Sequence, residues 1–159
     1  MARYDFLTTW AVAAPIEEVW QVIHETEQWP SWWRGVKVAE RLRAGDTRED
    51  GVGSVHRYVW RSRLPYDIEF RIRTTRVERP HLLEGEADGN LHGTGRWRLW
   101  RGTGATAVTY EWRVETTLAW MNAVAPLGRP VFHWSHDHVM RNGGRGLARR
   151  LGAALLLCD

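Results

Sequence analysis

The chain has 159 residues, of which 43% are hydrophobic and 26% are charged, proportions that are typical of one globular domain. Its formal net charge is only +3 at pH 7, and arginines alternate with acidic residues along segments such as 67–79. This pattern indicates a solvated sheet face and argues against a nucleic-acid interface, which needs clustered positive charge. We therefore predict a single domain over residues 1–159, with no nucleic-acid partner.

Cysteine usage and apolar runs bear on the compartment. Cys158 is the only cysteine, so no disulfide can form within the chain, which fits a reducing environment. The segment 1–10 lacks the apolar core of a signal peptide. The longest apolar run, residues 153–158, is far shorter than the roughly 20 residues that cross a bilayer. We expect a cytoplasmic protein without stable membrane insertion.

The first two elements are predicted as a strand and a helix. Residues 3–12 carry their larger apolar side chains mostly at even-numbered positions, which is the period of a strand. Pro15 suits the first position of a helix, and apolar residues recur at helical spacing over 16–23. The helix should end before Pro30, because the residue that precedes a proline is biased away from helix.

The segment "WPSWW" then concentrates Trp29, Trp32 and Trp33 within five positions. As a short helix it would present one side made almost entirely of indole. Tryptophan combines a large apolar surface with one N–H donor, so three interpretations stay open. The rings pack the core, or one of them reaches a ligand or its entrance, or they touch a membrane.

A long β region follows. Alternating apolar and charged positions, separated by turns rich in glycine and proline, predict antiparallel strands with one solvated face. The predicted strands cover residues 36–43, 53–62, 66–80, 81–89, 93–102 and 106–117.

The last forty residues lose the strand period and are predicted as helical. A long helix is expected from near Pro130 to about Leu157, roughly 40 Å at 1.5 Å per residue. Gly143, Gly144 and Gly146 are unusual in its middle, since glycine weakens a helix by about 1 kcal/mol relative to alanine. They suggest close packing or a bend.

This order of elements predicts an α+β fold. A curved antiparallel sheet of about six to seven strands wraps around the long C-terminal helix, with two short helices after the first strand. A sheet with one apolar face needs a cover, and that helix is the only large one available. We expect an apolar cavity between the two.

The residues 14–36, 60–97 and 110–151 resemble the helix-grip fold of the START-like, or SRPBCC, superfamily. Within it, they look most like the polyketide cyclase/dehydrase branch. The resemblance implies a hydrophobic cavity that takes lipids, polyketides or sterol-like molecules. It also implies that some members are cyclases or aromatases while many bind and carry. It supplies no invariant catalytic motif to transfer.

The aromatic concave face, the short tryptophan helix and the inner face of the C-terminal helix are the candidate ligand-binding surface. Such a wall suits a large, flat, apolar ligand that is oriented by one or two hydrogen bonds. The candidates are Trp29, Trp32, Trp33, Tyr58, Trp60, Phe70, Ile72, Trp97, Leu99, Tyr110, Trp112, Phe132, His136, Val139 and Met140.

His56, Tyr110 and His136 are the candidate catalytic residues, because they are the groups on this surface that can move protons. The alternative for each histidine is a structural role in the core or at its rim. Asp137 does not orient His136 by adjacency, because successive helix residues diverge by about 100°.

No metal or cofactor is predicted. His133 and His136 have the spacing of zinc ligands on a helix, but no second cluster supplies the missing ligands. Three functions therefore stay in view: binding of a hydrophobic small molecule, cyclase or dehydratase chemistry in the same cavity, and lipid exchange at a membrane surface. The sequence leaves a homodimer open.

Overall fold

The computed structural model describes residues 2–159, and most of them lie in an antiparallel sheet and one long helix. The helices are α1 (Ile16–His24), α2 (Trp29–Trp32) and α3 (Ala119–Leu151). The strands are β1 (Arg3–Val12), β2 (Val36–Arg43), β3 (Val55–Arg61), β4 (Asp67–Glu78), β5 (Leu82–Gly89), β6 (Leu91–Arg101), β7 (Thr106–Thr116) and β8 (Leu155–Cys158).

The eight strands form one curved sheet in the order β2-β3-β4-β5-β6-β7-β1-β8. Every neighbouring pair is antiparallel, and β1 closes onto β7 although the two strands are far apart in the chain. The α+β helix-grip fold predicted from the sequence is confirmed. The sheet has eight strands, one more than the upper end of the predicted range, because the C-terminal tail adds β8.

The tryptophans of α2 are part of the core. Trp29, Trp32 and Trp33 are all buried, so they present no surface to a membrane. Two of their N–H groups are bonded to backbone carbonyls, Trp29 Nε1 to Ile23 O at 3.1 Å and Trp33 Nε1 to Val139 O at 2.9 Å. These bonds tie α2 to both α1 and α3 and fix where the long helix crosses the sheet.

The bounds predicted for the long helix were wrong at both ends. It begins at Ala119 and contains both Pro126 and Pro130. Both prolines are exposed, so the backbone hydrogen bonds that they remove lie on the solvent side, where water can replace them. The helix ends at Leu151, since Gly152 takes the left-handed conformation with φ +62°.

The tail after this cap is a strand, although it was predicted as helix. Leu157 pairs with Ala11 and Cys158 pairs with Trp10, so β8 covers the edge of β1. An apolar run of only four to six residues cannot be assigned to helix or strand from periodicity alone. Over residues 2–159, no helix is both long and apolar enough to span a bilayer.

The glycines of α3 allow close packing, as one of the two sequence interpretations predicted. A Cβ atom at Gly143 would lie 2.5 Å from Trp33 Cε2, and one at Gly144 would lie 3.0 Å from Trp10 Cδ1. A Cβ atom at Gly146 would overlap the carbonyl oxygen of Trp32. The C-terminal half of α3 therefore sits directly on α2 and β1, with glycine as the spacer.

This packing predicts that Gly146→Ala destabilises the fold although alanine is the better helix former. The new methyl group would meet backbone rather than a flexible side chain, so we expect a loss of about 2 kcal/mol in the free energy of unfolding. Gly128→Ala in the same helix is the control, since its Cβ would meet only the Phe132 ring at 3.0 Å. Urea unfolding of both variants should show a loss for Gly146→Ala and little or no loss for Gly128→Ala.

Candidate functional site

An apolar cavity of about 130 Å³ lies between the concave face of the sheet and residues 121–140 of α3. It opens to solvent. Its wall combines aromatic and aliphatic side chains with a few uncharged polar groups. The lining residues are Tyr4, Phe6, Trp60, Ser62, Leu64, Ile68, Phe70, Leu91, Tyr110, Trp112, Val114, Thr116, Met121, Phe132, Ser135, His136, Val139 and Met140.

Strand register brings the sheet's contribution together. Phe6 of β1 lies opposite Trp112 of β7, and Trp97 of β6 lies opposite Tyr110 of β7. Gly95, opposite Trp112, leaves room for the rings of β7, because a Cβ atom there would lie 2.8 Å from Tyr110 Oη. The large rings can therefore lean across the sheet towards the cavity.

A second, smaller cavity of about 40 Å³ lies on the other side of Tyr110. The Tyr110 ring lines both cavities and stacks on Trp97, with 4.2 Å between ring centroids. The smaller cavity shares Thr26 and Tyr58 with a polar pocket of about 370 Å³ beside the loop that joins β2 to β3. The interior is thus divided by an aromatic partition, with Tyr110 at its centre.

The predicted ligand-binding residues fall into three groups. Eight line the main cavity: Trp60, Phe70, Tyr110, Trp112, Phe132, His136, Val139 and Met140. Four line the smaller cavity beyond the partition: Trp29, Tyr58, Ile72 and Trp97. Three are buried in the core and line neither cavity: Trp32, Trp33 and Leu99.

His136 is the titratable histidine of the main cavity. Its ring stacks on Phe6 with 3.9 Å between centroids, and its Nδ1 atom is buried with no hydrogen-bond partner. Asp137 Oδ1 is 3.8 Å from Nδ1, which is too long for a hydrogen bond. Burial, with a smaller effect of His133, lowers the pKa of His136 to about 3. The imidazole is therefore neutral at physiological pH.

Tyr110 and His56, the other two catalytic candidates, lie apart. Burial raises the pKa of Tyr110 well above its usual value, so the phenol stays protonated. His56 lines the polar pocket, where its Nε2 atom is 3.3 Å from Glu27 Oε1. Burial lowers the pKa of His56, and Glu27 partly opposes that shift. The structure thus brings Tyr110 and His136 to one cavity and places His56 in another.

Sequence reasoning missed part of the wall. Tyr4 and Phe6 stand on the predicted inner face of β1, but only the β1–β7 register shows that they border the cavity. Ser62 and Leu64 belong to the loop between β3 and β4; Ser62 was predicted as the last residue of a strand, and Leu64 lies in a turn that carries no periodic signal. Met121 was missed because the helix was expected to begin later.

Residues 2–159 hold no group of three histidine, cysteine, aspartate or glutamate side chains arranged to bind a metal ion. His133 contacts Phe6, with 4.8 Å between ring centroids. The polar groups of the main cavity include the phenols of Tyr4 and Tyr110, the hydroxyl of Ser135 and the imidazole of His136.

The model of the family "Polyketide cyclase / dehydrase and lipid transport" matches residues 5–154. The chain belongs to this family. The match covers the cavity-lining strands, apart from the first two residues of β1, and the whole of α3. No curated protein sequence matches the chain.

Solved structures with the same fold include an aromatase/cyclase, a START superfamily protein and a plant synthase. The ZhuI aromatase/cyclase from Streptomyces sp. R1128 has 15% sequence identity and a TM-score of 0.75, over 94% of this chain and 93% of that one. A START superfamily protein from Mycobacterium smegmatis has 15% identity and a TM-score of 0.72, over 91% and 97%. Norcoclaurine synthase from Thalictrum flavum has 13% identity and a TM-score of 0.60, over 94% and 87%. Identities this low establish the shared fold alone.

The buried, neutral His136 predicts a specific dependence of stability on pH. Its pKa in the folded protein is about 3, whereas the unfolded chain binds a proton near pH 6.5. Below pH 6.5 the unfolded state therefore holds more protons, and stability falls as the pH falls.

His136→Gln removes this contribution. Between pH 6 and pH 4 we expect the free energy of unfolding to fall more steeply for the natural protein than for His136→Gln, by up to about 1.4 kcal/mol per pH unit. Urea titrations of both proteins at several pH values measure this difference in slope. All other titrating groups are common to the two proteins. Parallel curves would show that the imidazole is not held neutral.

Proposed function

We propose that this protein binds an uncharged, largely aromatic small molecule in the main cavity beneath α3. The observation that carries the proposal is the wall itself, an apolar enclosure in which Tyr110, Ser135 and His136 are placed among aromatic rings. Membership of the family supports the same function, since its members include polyketide cyclases and lipid transporters.

The polar groups of the wall indicate what the ligand carries. Side chains that line the cavity hold three buried polar atoms without partners: Tyr4 Oη, Trp60 Nε1 and His136 Nδ1. Leaving such a group unpaired costs about 1–3 kcal/mol. A ligand with hydroxyl or carbonyl oxygens can supply partners after small rotations of these side chains, so binding would recover part of that cost.

The charge state of the wall favours an uncharged ligand. Among the described lining residues, none is an acid, a lysine or an arginine, and the titratable groups Tyr4, Tyr110 and His136 are neutral. A charged group brought into this cavity would lose its hydration without gaining an ionic partner, which is strongly unfavourable. A volume near 130 Å³ resembles that of cavities known to take a single aromatic ring. Larger ligands would extend through the opening.

Native mass spectrometry of freshly purified protein, followed by extraction of any retained molecule, tests whether the cavity is occupied. Isothermal titration calorimetry with 2-naphthol tests whether the main cavity is the binding site. Ser135→Phe places a ring inside the cavity, because Ser135 is buried in its wall. We expect it to reduce 2-naphthol affinity at least about 10-fold, which corresponds to about 1.4 kcal/mol.

Ser135→Ala is the matched control and should bind 2-naphthol nearly as well as the natural protein, since the cavity stays open. Equal affinity in Ser135→Phe and Ser135→Ala would place the binding site elsewhere. Thermal unfolding of each variant shows whether the added ring has disturbed the fold.

A second candidate function is proton abstraction next to a carbonyl group, the step that a cyclase or dehydratase needs. The position of His136 favours it, because the ring lies in the cavity wall and its Nδ1 atom has no protein partner, so it can accept a proton from a bound substrate. The low pKa of the imidazole in this apolar cavity makes it a weak base, so this role requires a bound substrate whose developing negative charge stabilises the imidazolium. Tyr110, a protonated phenol in the same wall, can donate a hydrogen bond to the carbonyl oxygen as negative charge develops there.

This candidate can be tested with benzoylacetone, a 1,3-diketone with an aromatic ring. The rate at which its central C–H hydrogens exchange with deuterium is measured by NMR. If His136 is the base, His136→Gln should slow the exchange catalysed by the protein by about 10²-fold or more. His133→Gln, one turn away and outside the lining, is the control. No acceleration by the natural protein, or equal rates in the two variants, would leave binding as the function.

A further inference from the structure

The outer face of the N-terminal half of α3 is apolar and uncovered. Five large side chains follow one another at steps of four, three, four and three residues, which is the spacing of a helix–helix seam. Their exposed fractions range from 44% at Val124 to 89% at Leu127. We call them the α3 stripe: Trp120, Val124, Leu127, Val131 and Trp134.

Its surroundings are apolar as well. Between residues 119 and 134 the other exposed residues are Ala119, Ala123, Pro126, Arg129 and Pro130. Arg129 is the only charged one, and its guanidinium carbon lies over the Tyr4 ring, 5.1 Å from the centroid. This charge is therefore directed towards the body of the protein and away from the stripe.

The inner face of the same segment is also apolar, since Met121, Ala125 and Phe132 are turned towards the cavity and the core. A helical segment that is apolar on two opposite faces is normally covered on both. The sheet covers only the inner face of this one. The outer face is thus a surface that still lacks its partner.

The order of residues along the stripe suggests a second copy of the same chain. Tryptophan, valine, leucine, valine and tryptophan follow one another, so the series is the same in both directions about Leu127. A two-fold symmetric contact must be self-complementary. In an antiparallel pair of stripes centred on Leu127, Trp120 of each copy meets Trp134 of the other.

The charges near the stripe are compatible with this arrangement. Arg63 lies over the Trp134 ring at 5.6 Å and donates from Nε to His138 Nε2 at 3.3 Å, and Arg141 follows on the next turn. The positive groups are therefore at one end of the stripe. An antiparallel pair holds these groups at opposite ends of the contact, where they do not repel each other.

The exposed apolar area of the α3 stripe is also close to that of one side of a stable protein–protein interface. From the exposed fractions, the stripe and its apolar neighbours present on the order of 700 Å², close to the about 800 Å² per partner of a standard stable interface. The flanking loop between β3 and β4 adds to it, because Tyr66 packs edge-on against Trp120 with 4.7 Å between centroids. Isolated monomers seldom leave apolar patches larger than about 600 Å² uncovered.

We propose that the protein forms a two-fold symmetric homodimer through antiparallel contact of the α3 stripes. Met121 and Phe132 on the inner face of the same helical segment line the ligand cavity. Dimerisation would therefore restrict the movement of the helical segment that covers the cavity. This inference does not depend on the identity of the ligand.

Analytical ultracentrifugation of the full chain over a wide range of concentrations tests the proposal. The natural protein should show a reversible monomer–dimer equilibrium. Leu127→Glu brings two carboxylates together at the two-fold axis and should weaken the dimer at least about 100-fold, whereas Leu127→Met should keep it. Leu127 is the most exposed side chain of the stripe, so the variant should fold, which circular dichroism checks.

Leu156→Glu is the matched control. Leu156 is 59% exposed and lies in the edge strand β8, the main alternative surface for self-association. This variant should dimerise like the natural protein. A dimer that survives Leu127→Glu, or one that is lost in Leu156→Glu, would overturn the proposal.

Co-sedimentation with phosphatidylglycerol vesicles tests the alternative that the α3 stripe contacts a lipid bilayer. Trp120 and Trp134 would also suit the interface of a lipid bilayer. A protein that stays monomeric at all concentrations overturns the proposal. If that monomer binds these vesicles through Leu127, the α3 stripe is a membrane contact instead.

Discussion

The position of α3 depends on one packing constraint, the seating of its glycines on the tryptophans of α2 and β1. Gly143 leaves room for the Trp33 ring and Gly144 for Trp10, so helix and sheet approach more closely than any side chain would allow. The bond from Trp33 Nε1 to the Val139 carbonyl adds a directional contact at the same place. Because the helix is held at these contacts, its preceding turns lie over the concave face of the sheet and cover the cavity.

The two halves of α3 therefore have different tasks and different composition. The part of the helix from Gly143 onwards is buried through small residues and lines no cavity, whereas Met121, Phe132 and His136, which precede it, border the main cavity. Its prolines fit this division. Pro126 and Pro130 lie in the half that is not pressed onto the core, where lost backbone hydrogen bonds can be replaced by water.

The fold was predictable because its signals are local and periodic. The alternation of β4 and β7, the Pro15 helix start and the glycines of the last helix each follow from short stretches of sequence. The start of α3 was not predictable, since Pro126 and Pro130 indicate a boundary and only their exposed position permits them inside a helix. The short strand β8 was missed because its pairing with β1 is a contact of the folded chain.

The candidate site was less predictable than the fold, because it depends on how the strands are aligned with one another. The inner face of each strand could be identified, but the depth of each ring depends on register. Trp97 and Tyr110 are paired directly, and their stacked rings divide the interior. For that reason Trp60 and Trp112 border one cavity while Tyr58 and Trp29 border another.

The partition also bears on how the interior can be used. Tyr110 is surrounded by protein, yet both faces of the partition that it forms border empty space. The stacking on Trp97, with 4.2 Å between ring centroids, and the close approach to Gly95 hold the Tyr110 ring in that position. The smaller cavity in turn meets the polar pocket at Thr26 and Tyr58, and in that pocket His56 faces Glu27. Tyr110 and His136 therefore border one cavity and His56 another, so a single-ring ligand in the main cavity can contact the first two candidates and not His56.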